Sequence, residues 1–268
     1  MRGMRFRIPF LNRAPRVHVL RLSGAIGAAG RLGGTGLTDA GLAPLVTRAF
    51  KRGKPAAVAI ALNSPGGSPV QSSLIAARIR RLADETGVPV HVFVEDMAAS
   101  GGYWLACAGD AIWADATSVV GSIGVISAGF GLHEFIARHG IERRVHTAGE
   151  SKSFLDPFRP ERPEDVARLE RLIAPMHAAF RDWVVQRRGA RLSGGDLFTG
   201  DVWTGAQAVD LGLIDGIAHL EPKMKDLFGA DVRFVPHAAR RPFLRRFGIE
   251  FADGMLSRAE TALDRGWR

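Results

Sequence analysis

Ser100 lies in the stretch MAASGGYW, between small residues on one side and a pair of glycines on the other. A serine hydroxyl in such a turn is open to two interpretations. It can be a nucleophile, if a base takes its proton and nearby donors stabilise the oxyanion that forms. It can also cap the helix that follows, because serine is among the preferred N-cap residues. The residues around Ser100 leave both interpretations open.

A nucleophilic serine needs a base, which here means histidine or lysine. None of the eight histidines falls in a glycine-rich or aspartate-rich turn that would suggest a site. Arginine keeps its proton in proteins, so the 31 arginines are excluded as general bases. Lysine can act as a base where burial lowers its pKa. Of the five lysines, Lys152 in AGESKSFLDPF follows a predicted strand and stands beside serines. Lys152 is therefore one candidate base, but on the residues alone a solvated loop lysine is the favoured interpretation, and His133 and His146 also stay open as bases.

Two glycine-rich turns offer donors for an oxyanion, one in NSPGGSP at 63–69 and one in DMAASGG at 96–102. The candidate donors are the backbone N–H groups of Gly67 and Gly101, since neither residue has a side chain to obstruct a substrate. An ordinary tight turn explains the first stretch equally well. The two explanations are compatible, because an oxyanion turn is also a tight turn.

The elements that must position these residues alternate as strand, turn and helix. Strands are predicted at 16–22, 57–62, 88–95 and 110–115, an extended segment at 142–149, and helices at 38–50, 70–85, 102–109, 130–140, 163–188 and 204–212. This alternation predicts an α/β fold, a parallel sheet covered by helices and connected by right-handed crossovers. Sites in such sheets form beyond the carboxyl ends of strands. The two glycine-rich turns are therefore predicted to be neighbours.

The composition indicates a globular chain of 268 residues with a formal charge of +9, concentrated at its arginine-rich ends. Such ends can attract nucleic acid, an anionic membrane or an acidic partner, or can be a solvated surface. Cys107 is the single cysteine, which excludes an internal disulfide and a cysteine-based zinc site, and no cofactor motif is seen. Prolines interrupt any signal-peptide core, and no uncharged run approaches ~20 apolar residues. A cytoplasmic location is predicted, with peripheral membrane contact left open.

Four short motifs follow one another along the chain: NSPGGS, MAASGGYW, VVGSIGV at 119–125 and AGESKS at 148–153. Together they resemble the signal peptide peptidase A/SohB family of serine peptidases. The resemblance extends through FTGDVWTGAQAVDLGLIDGI to about residue 220. It implies a Clp/crotonase-like spiral of repeated β-β-α units and hydrolysis of peptide bonds without a cofactor.

The family resemblance also implies a role for each matching residue. Ser100 would be the nucleophile and Lys152 its general base, with Ser122 orienting the lysine. The N–H groups of Gly67 and Gly101 would form the oxyanion hole. The substrate would be a peptide or an unstructured protein. The family further implies a homo-oligomer, in which the serine and lysine of one site can come from neighbouring subunits.

Three segments are predicted: a basic N-terminal arm (1–15), a peptidase domain (16–222) and a C-terminal segment (223–268). The last part, 242–268, is rich in apolar residues, and we expect it to pack on a neighbouring subunit, with its own subunit as the alternative. Two other functions stay open. A crotonase-type acyl-CoA enzyme also pairs oxyanion N–H groups, and a non-catalytic basic protein would bind nucleic acid or membrane through its ends.

Overall fold

The computed structural model describes residues 14–27, 36–149 and 151–238. Within these ranges eight strands form one sheet. They are β1 (Arg16–Ser23), β2 (Ala57–Ser64), β3 (Val90–Ala99), β4 (Ala111–Ala114), β5 (Val119–Gly121), β6 (Val202–Thr204), β7 (Gly216–Ile217) and β8 (Arg233–His237). Seven α-helices and one short 3-10 helix at Gly189–Arg191 accompany them. The helices are α1 (Asp39–Lys51), α2 (Pro69–Thr86), α3 (Gly101–Ala106), α4 (His133–Arg138), α5 (Pro163–Arg188), α6 (Gly205–Asp210) and α7 (Leu220–Phe228).

The sheet runs in the order β6-β5-β3-β2-β1-β8, with β4 pairing β3 and β7 pairing β4. Every pairing is parallel except that of β5 with β6. The prediction of a parallel, helix-covered sheet is confirmed. The apolar run AVAIAL becomes β2, whose residues 57–62 are all buried, because this strand lies inside the sheet and has both faces covered.

Alternate residues of the central strands point to opposite faces of the sheet. One face carries Leu20, Ile60 and Val92 into the larger core, which helices α1, α2 and α3 cover. The other face carries Val17, Ala59 and Phe93 into a smaller core that contains Met224 of α7. The helices thus cover one face broadly and the other only in part.

Two local predictions are wrong. The turn predicted at 96–102 is mostly strand, since β3 continues to Ala99. Its residues 97–99 pair with 119–121 of β5, a distant pairing that no local pattern reveals. The extended segment predicted at 142–149 forms no strand, and its residues are almost all exposed.

The predicted boundary between 222 and 223 falls within α7, and β8 pairs with β1 in the same sheet. The sheet therefore includes residues of the predicted C-terminal segment. Most of the N-terminal arm (1–13) and the stretch 239–268 lie outside the described residues, so the oligomer packing of the latter stays a prediction. Among the described helices, none is both long and apolar enough to cross a bilayer.

Candidate active site

Ser100 occupies the junction between β3 and α3, in an unusual backbone conformation with φ 52° and ψ −123°. The neighbouring strand holds this conformation, because the Ser100 N–H donates to the carbonyl of Gly121 at 2.8 Å. Ser100 stands at the N-cap position of α3, but its side chain makes no capping hydrogen bond. Its hydroxyl is therefore not used to cap the helix. A strained residue at a strand-to-helix turn is the arrangement that presents the nucleophile in α/β-hydrolases.

The Gly66-Gly67 turn lies directly against Ser100 and Gly101, as the sequence predicted for the two glycine-rich turns. A Cβ on Gly66 would stand 2.7 Å from the Gly101 nitrogen and 2.9 Å from Ser100 Cβ. A Cβ on Gly101 would stand 3.4 Å from the Gly67 nitrogen. Glycine is needed at position 66 because the facing backbone approaches more closely than a side chain allows, whereas the contact between Gly101 and the Gly67 nitrogen is an ordinary van der Waals distance.

A short bridge to Ile26 fixes the Gly66-Gly67 turn. The Ile26 N–H donates to the Gly66 carbonyl at 2.8 Å, and the Ser68 N–H donates back to the Ile26 carbonyl at 2.9 Å. Ser64 is buried and donates to the carbonyl of Gly24 at 2.7 Å. Ser64 Oγ also accepts from the Gly66 N–H at 3.2 Å. Ser64 is thus a structural residue that ties the end of β2 to the end of β1.

Two backbone donors remain free beside the Ser100 hydroxyl. Within the described chain, the N–H groups of Gly67 and Gly101 donate no hydrogen bond. Gly67 is exposed and Ser100 half-buried, so a substrate can approach this point from solvent. Backbone N–H groups without partners beside a nucleophile are the donors that can stabilise a developing oxyanion.

Helix α3 is fixed from its far side by α5. Trp183 Nε1 donates to the Trp104 carbonyl at 3.0 Å, and the Trp104 ring stacks on Phe180 with centroids 4.8 Å apart. Arg187 donates to the carbonyls of Cys107 and Gly109, both at 2.9 Å. These donors satisfy carbonyls that every helix end leaves without a partner. The helix that begins next to Ser100 therefore has a fixed position.

Cys107 closes this helix as a fully buried thiol. Burial raises the pKa of the Cys107 thiol to about 12. A thiol that keeps its proton at neutral pH is a poor nucleophile. This environment is typical of a structural thiol.

Ser122 lies close to Ser100 because Ala99 pairs with Gly121, the residues that precede the two serines. Ser122 also has a positive φ, 53°, and its N–H donates to the Asp201 carbonyl at 2.6 Å. The ring of Trp203 packs against Gly121, where a Cβ would stand 2.6 Å from it. The stretch around residue 201 thus sets the direction in which Ser122 leaves the strand.

Lys152 is the one predicted site residue that the structure does not bring to the others. It lies in a turn at 151–155, its side chain is exposed, and its N–H donates to the Gly149 carbonyl at 3.2 Å. In the described chain, Lys152 Nζ is not within hydrogen-bonding distance of either serine hydroxyl. Four of the five predicted site residues therefore lie at the carboxyl ends of neighbouring strands: Gly67, Ser100, Gly101 and Ser122. The fifth, Lys152, does not lie with them.

The stretch 124–161, which carries Lys152, exposes an unusual amount of apolar surface. Ile126 is 86% exposed and Phe130 84% exposed, and Phe135 of α4 is 56% exposed. No residue of α4 is buried. Exposed large apolar side chains concentrated in one stretch are typical of a protein–protein contact.

Sequence reasoning missed the residues that support the site through the backbone. Ile26 and Asp201 contribute carbonyl or N–H groups, and such contacts leave no signature in residue type. Ser72 is also close: a Cβ on Gly101 would meet Ser72 Oγ at 2.3 Å. Ser64 stands in the NSPGGS motif, and this position is the feature of the sequence that could have pointed to its supporting role. Within the described residues, no cluster of metal-ligating side chains occurs.

Comparison with known proteins agrees with this geometry. A family model described as "Peptidase family S49" matches residues 83–227. The chain is 46% identical to the "Na(+)/H(+) antiporter NhaA" of Brucella abortus, over 93% of this chain and 34% of that protein. It is 30% identical to the "Probable protease SohB" of Haemophilus influenzae, over 75% of this chain and 56% of that protein. It is 34% identical to the "Serine protease SPPA, chloroplastic" of Arabidopsis thaliana, over 61% of this chain and 24% of that protein. The chain thus spans only part of the length of each relative.

Proposed function

Because this chain belongs to peptidase family S49, we propose that it is a serine peptidase with Ser100 as its nucleophile. The observation that carries the proposal is the uncapped Ser100 hydroxyl beside the free N–H groups of Gly67 and Gly101. The proposal follows the family match and this geometry rather than the antiporter name of the Brucella relative. That name describes a protein of which this chain matches 34%.

In the proposed reaction, Ser100 Oγ attacks the carbonyl carbon of a peptide bond and its proton passes to the neutral amine of Lys152. The carbonyl oxygen becomes an oxyanion and accepts hydrogen bonds from the N–H groups of Gly67 and Gly101. When the intermediate collapses, the C–N bond breaks and Lys152 returns the proton to the leaving amine. Water then attacks the acyl-enzyme, with Lys152 again as the base, and releases Ser100.

The geometry of the chain supports a lysine supplied by a second copy. Lys152 does not reach Ser100 within one chain, and the stretch that carries it exposes Ile126 and Phe130 to solvent. Association of two copies through this surface would bury the apolar side chains and bring Lys152 into a less hydrated place. Burial lowers the pKa of a lysine and so increases the fraction of free amine. Ser122 would then hydrogen-bond the amine and orient it.

An extended peptide segment is the substrate that fits the proposed site. A nucleophile and an oxyanion hole formed by strand ends act on a carbonyl that enters in an accessible, extended backbone. A folded protein offers few such bonds, because its peptide groups are already paired. We therefore propose peptides or unstructured proteins as substrates.

The test compares Ser100→Ala with Ser73→Ala, a matched change on α2, in hydrolysis of an unstructured protein. We expect Ser100→Ala to lose at least about 10³-fold in kcat/KM and to keep its thermal unfolding temperature. Ser73→Ala should keep both. A serine-directed acylating probe, followed by peptide mapping, should label Ser100.

Labelling at another serine, or near-normal turnover by Ser100→Ala, would contradict the assignment. The alternatives predict other results. A crotonase-type enzyme would turn over an acyl-CoA thioester without an acyl-Ser100 intermediate. A non-catalytic basic protein would bind nucleic acid or anionic vesicles with strong salt dependence in wild type and Ser100→Ala alike.

A further inference from the structure

The sheet face opposite helices α2 and α3 contains an open groove. Alternation along the strands places Val19, Arg21 and Glu95 on this face. Helix α7 covers the face near the amino ends of the strands, where Met224 packs with Val17. Toward the carboxyl ends a groove of about 770 Å³ remains.

The floor of the groove is apolar. It is formed by Val19, Ala61 and Phe93 from the three central strands and by Phe234 and Pro236 from β8. Val19 and Phe234 are only half-buried, and Pro236 is exposed. Apolar side chains in the middle of a sheet face are ordinarily covered by another element.

The rim of the groove is acidic although the chain as a whole carries a charge of +9. Its lining includes the carboxylates of Glu95, Asp96, Asp115 and Glu221. Arg21 pairs with Glu95 and Lys225 with Glu221, so within the described residues Asp96 and Asp115 are the rim carboxylates that have no arginine or lysine partner. Hydrogen bonds from Thr117, followed by one from His219, hold the pKa of Asp115 well below its usual range. The Asp115 carboxylate is therefore ionised at neutral pH, and the groove favours a basic and apolar occupant.

This chain contains such a segment directly after the groove. Residues 240–247 read RRPFLRRF, four arginines with two phenylalanines and a leucine. The described structure ends at residue 238, just after β8, whose Phe234 and Pro236 line the groove. A tethered segment that starts at the edge of its site has a high effective concentration there.

We propose that residues 240–251 bind this groove on the same chain, with their apolar side chains on the sheet and their arginines at the acidic rim. The segment is long enough to cross the groove. Three strand spacings separate β8 from β3 in the sheet order, about 14 Å at ~4.8 Å each. Five extended residues span about that distance.

The N-terminal stretch 1–13 is also basic and apolar, but its geometry is less suitable. It joins β1 at Arg16, the end of the strand that lies away from the groove. Arg21 at the groove is five residues further along, about 16 Å in a strand. The C-terminal segment instead leaves the sheet at the carboxyl ends, where the groove lies. This proposal is independent of the peptidase chemistry, and it favours the alternative of packing within the subunit over the predicted packing on a neighbour.

A carbodiimide, which joins an amine to a nearby carboxylate as an amide, tests the proposal on the full-length protein. Arg246→Lys places an amine in the segment, and Arg265→Lys is the matched control near the end of the chain. Mapping should link residue 246 to Glu95, Asp96, Asp115 or Glu221 in the monomer band of a denaturing gel. The control residue should not link to these carboxylates. A link found in the dimer band would overturn the proposal in favour of binding between copies.

Hydrogen exchange provides a second measurement on the unmodified chain. We expect amides of 243–251 to exchange at least about tenfold more slowly than in an unstructured peptide. The double variant Phe243→Ser and Phe247→Ser should lose this protection and should speed exchange in the groove peptides around Val19 and Leu220. Wild-type exchange at unstructured rates, or groove peptides unchanged in the variant, would overturn the proposal.

Discussion

At the scale of single residues, the candidate site depends on positions where a side chain is missing. Gly66, Gly67 and Gly101 let two backbone turns approach so closely that added Cβ atoms would overlap their neighbours. The nature of each overlap differs. A Cβ on Gly67 would lie 2.1 Å from the Ile26 carbonyl oxygen, which is backbone. A Cβ on Gly101 would lie 2.3 Å from Ser72 Oγ, a side-chain atom, and 3.4 Å from its next neighbours.

Because of this difference, we expect a second substitution to restore activity to Gly101→Ala but not to Gly67→Ala. Gly101→Ala should lower kcat by about 10²–10³-fold, because the new methyl group displaces an oxyanion donor. Adding Ser72→Ala removes the one atom that overlaps the new methyl group. The double variant should therefore have a kcat at least about tenfold higher than Gly101→Ala alone. Gly67→Ala combined with Ser72→Ala should show no recovery, because the obstructing carbonyl remains.

Steady-state kinetics on the single and double variants would check this coupling. Ser72→Ala alone should stay close to wild type, since it loses only a hydrogen bond to the Ser68 carbonyl at 2.9 Å. Equal recovery in the Gly67 and Gly101 backgrounds would show that the effect of Ser72 is not steric.

Residue types alone were enough to select several candidate site residues, but not the residues that support them. Ser100, Gly67 and Gly101 could be selected because a nucleophile and N–H donors need those types in turns. Whether the Ser100 hydroxyl caps α3 could not be read from the sequence, since the answer depends on the backbone angles at one residue. The contributions of Ile26 and Ser72 arise only when β1, β2 and α2 have come together.

At the scale of elements, α5 determines where α3 can lie. Arg187 spans the carboxyl end of α3 and donates to two carbonyls that have no helical partner, those of Cys107 and Gly109. Its planar guanidinium can reach both at once, which a lysine ammonium on a flexible chain does not reproduce. The position of the helix next to Ser100 therefore depends on a residue 87 positions later in the chain.

Arg187→Lys should lower the free energy of unfolding by about 1–3 kcal/mol, because at least one buried carbonyl loses its donor. Urea denaturation would measure the loss. Arg181→Lys on the same helix is the control, since the Arg181 side chain is 55% exposed and should tolerate the change. Similar values for the two variants would mean that the hydrogen bonds of Arg187 contribute little to stability.

Helices and strands were predicted correctly where the signal lies in the local spacing of apolar residues. Helix α5 was predicted at 163–188 from apolar residues at three- and four-residue steps, and the structure gives Pro163–Arg188. The end of β3 was misplaced because residues 97–99 look like a turn and become strand only by pairing with β5. The stretch 142–149 was predicted to be extended, but it pairs with no strand in the described chain.

At the scale of the whole molecule, the proposal takes the serine and the lysine of one site from two copies of the chain. Family resemblance pointed to Lys152, but the sequence could not say whether the lysine acts within its own subunit. The exposed apolar residues of 124–161 support a site shared between copies.

A shared site predicts complementation between two inactive variants. Ser100→Ala keeps Lys152, and Lys152→Ala keeps Ser100, so each alone should be inactive. Mixed assemblies should contain some sites with both residues, and hydrolysis should return to a substantial fraction of wild type after subunit exchange. Activity of the mixture would be measured against each variant at the same total concentration. If the mixture stays inactive although mass spectrometry shows mixed assemblies, serine and lysine belong to the same chain.

The pairing of β8 with β1 has a consequence for how the chain is made. Arg233 of β8 aligns with Arg16 of β1, about 200 residues earlier, which a ribosome adding about 5–20 residues per second completes only after 10 seconds or more. During synthesis the outer edge of β1 therefore has unpaired N–H and C=O groups that another nascent chain can pair with. A chaperone that shields this edge during translation would protect nascent chains in which β8 has not yet been made.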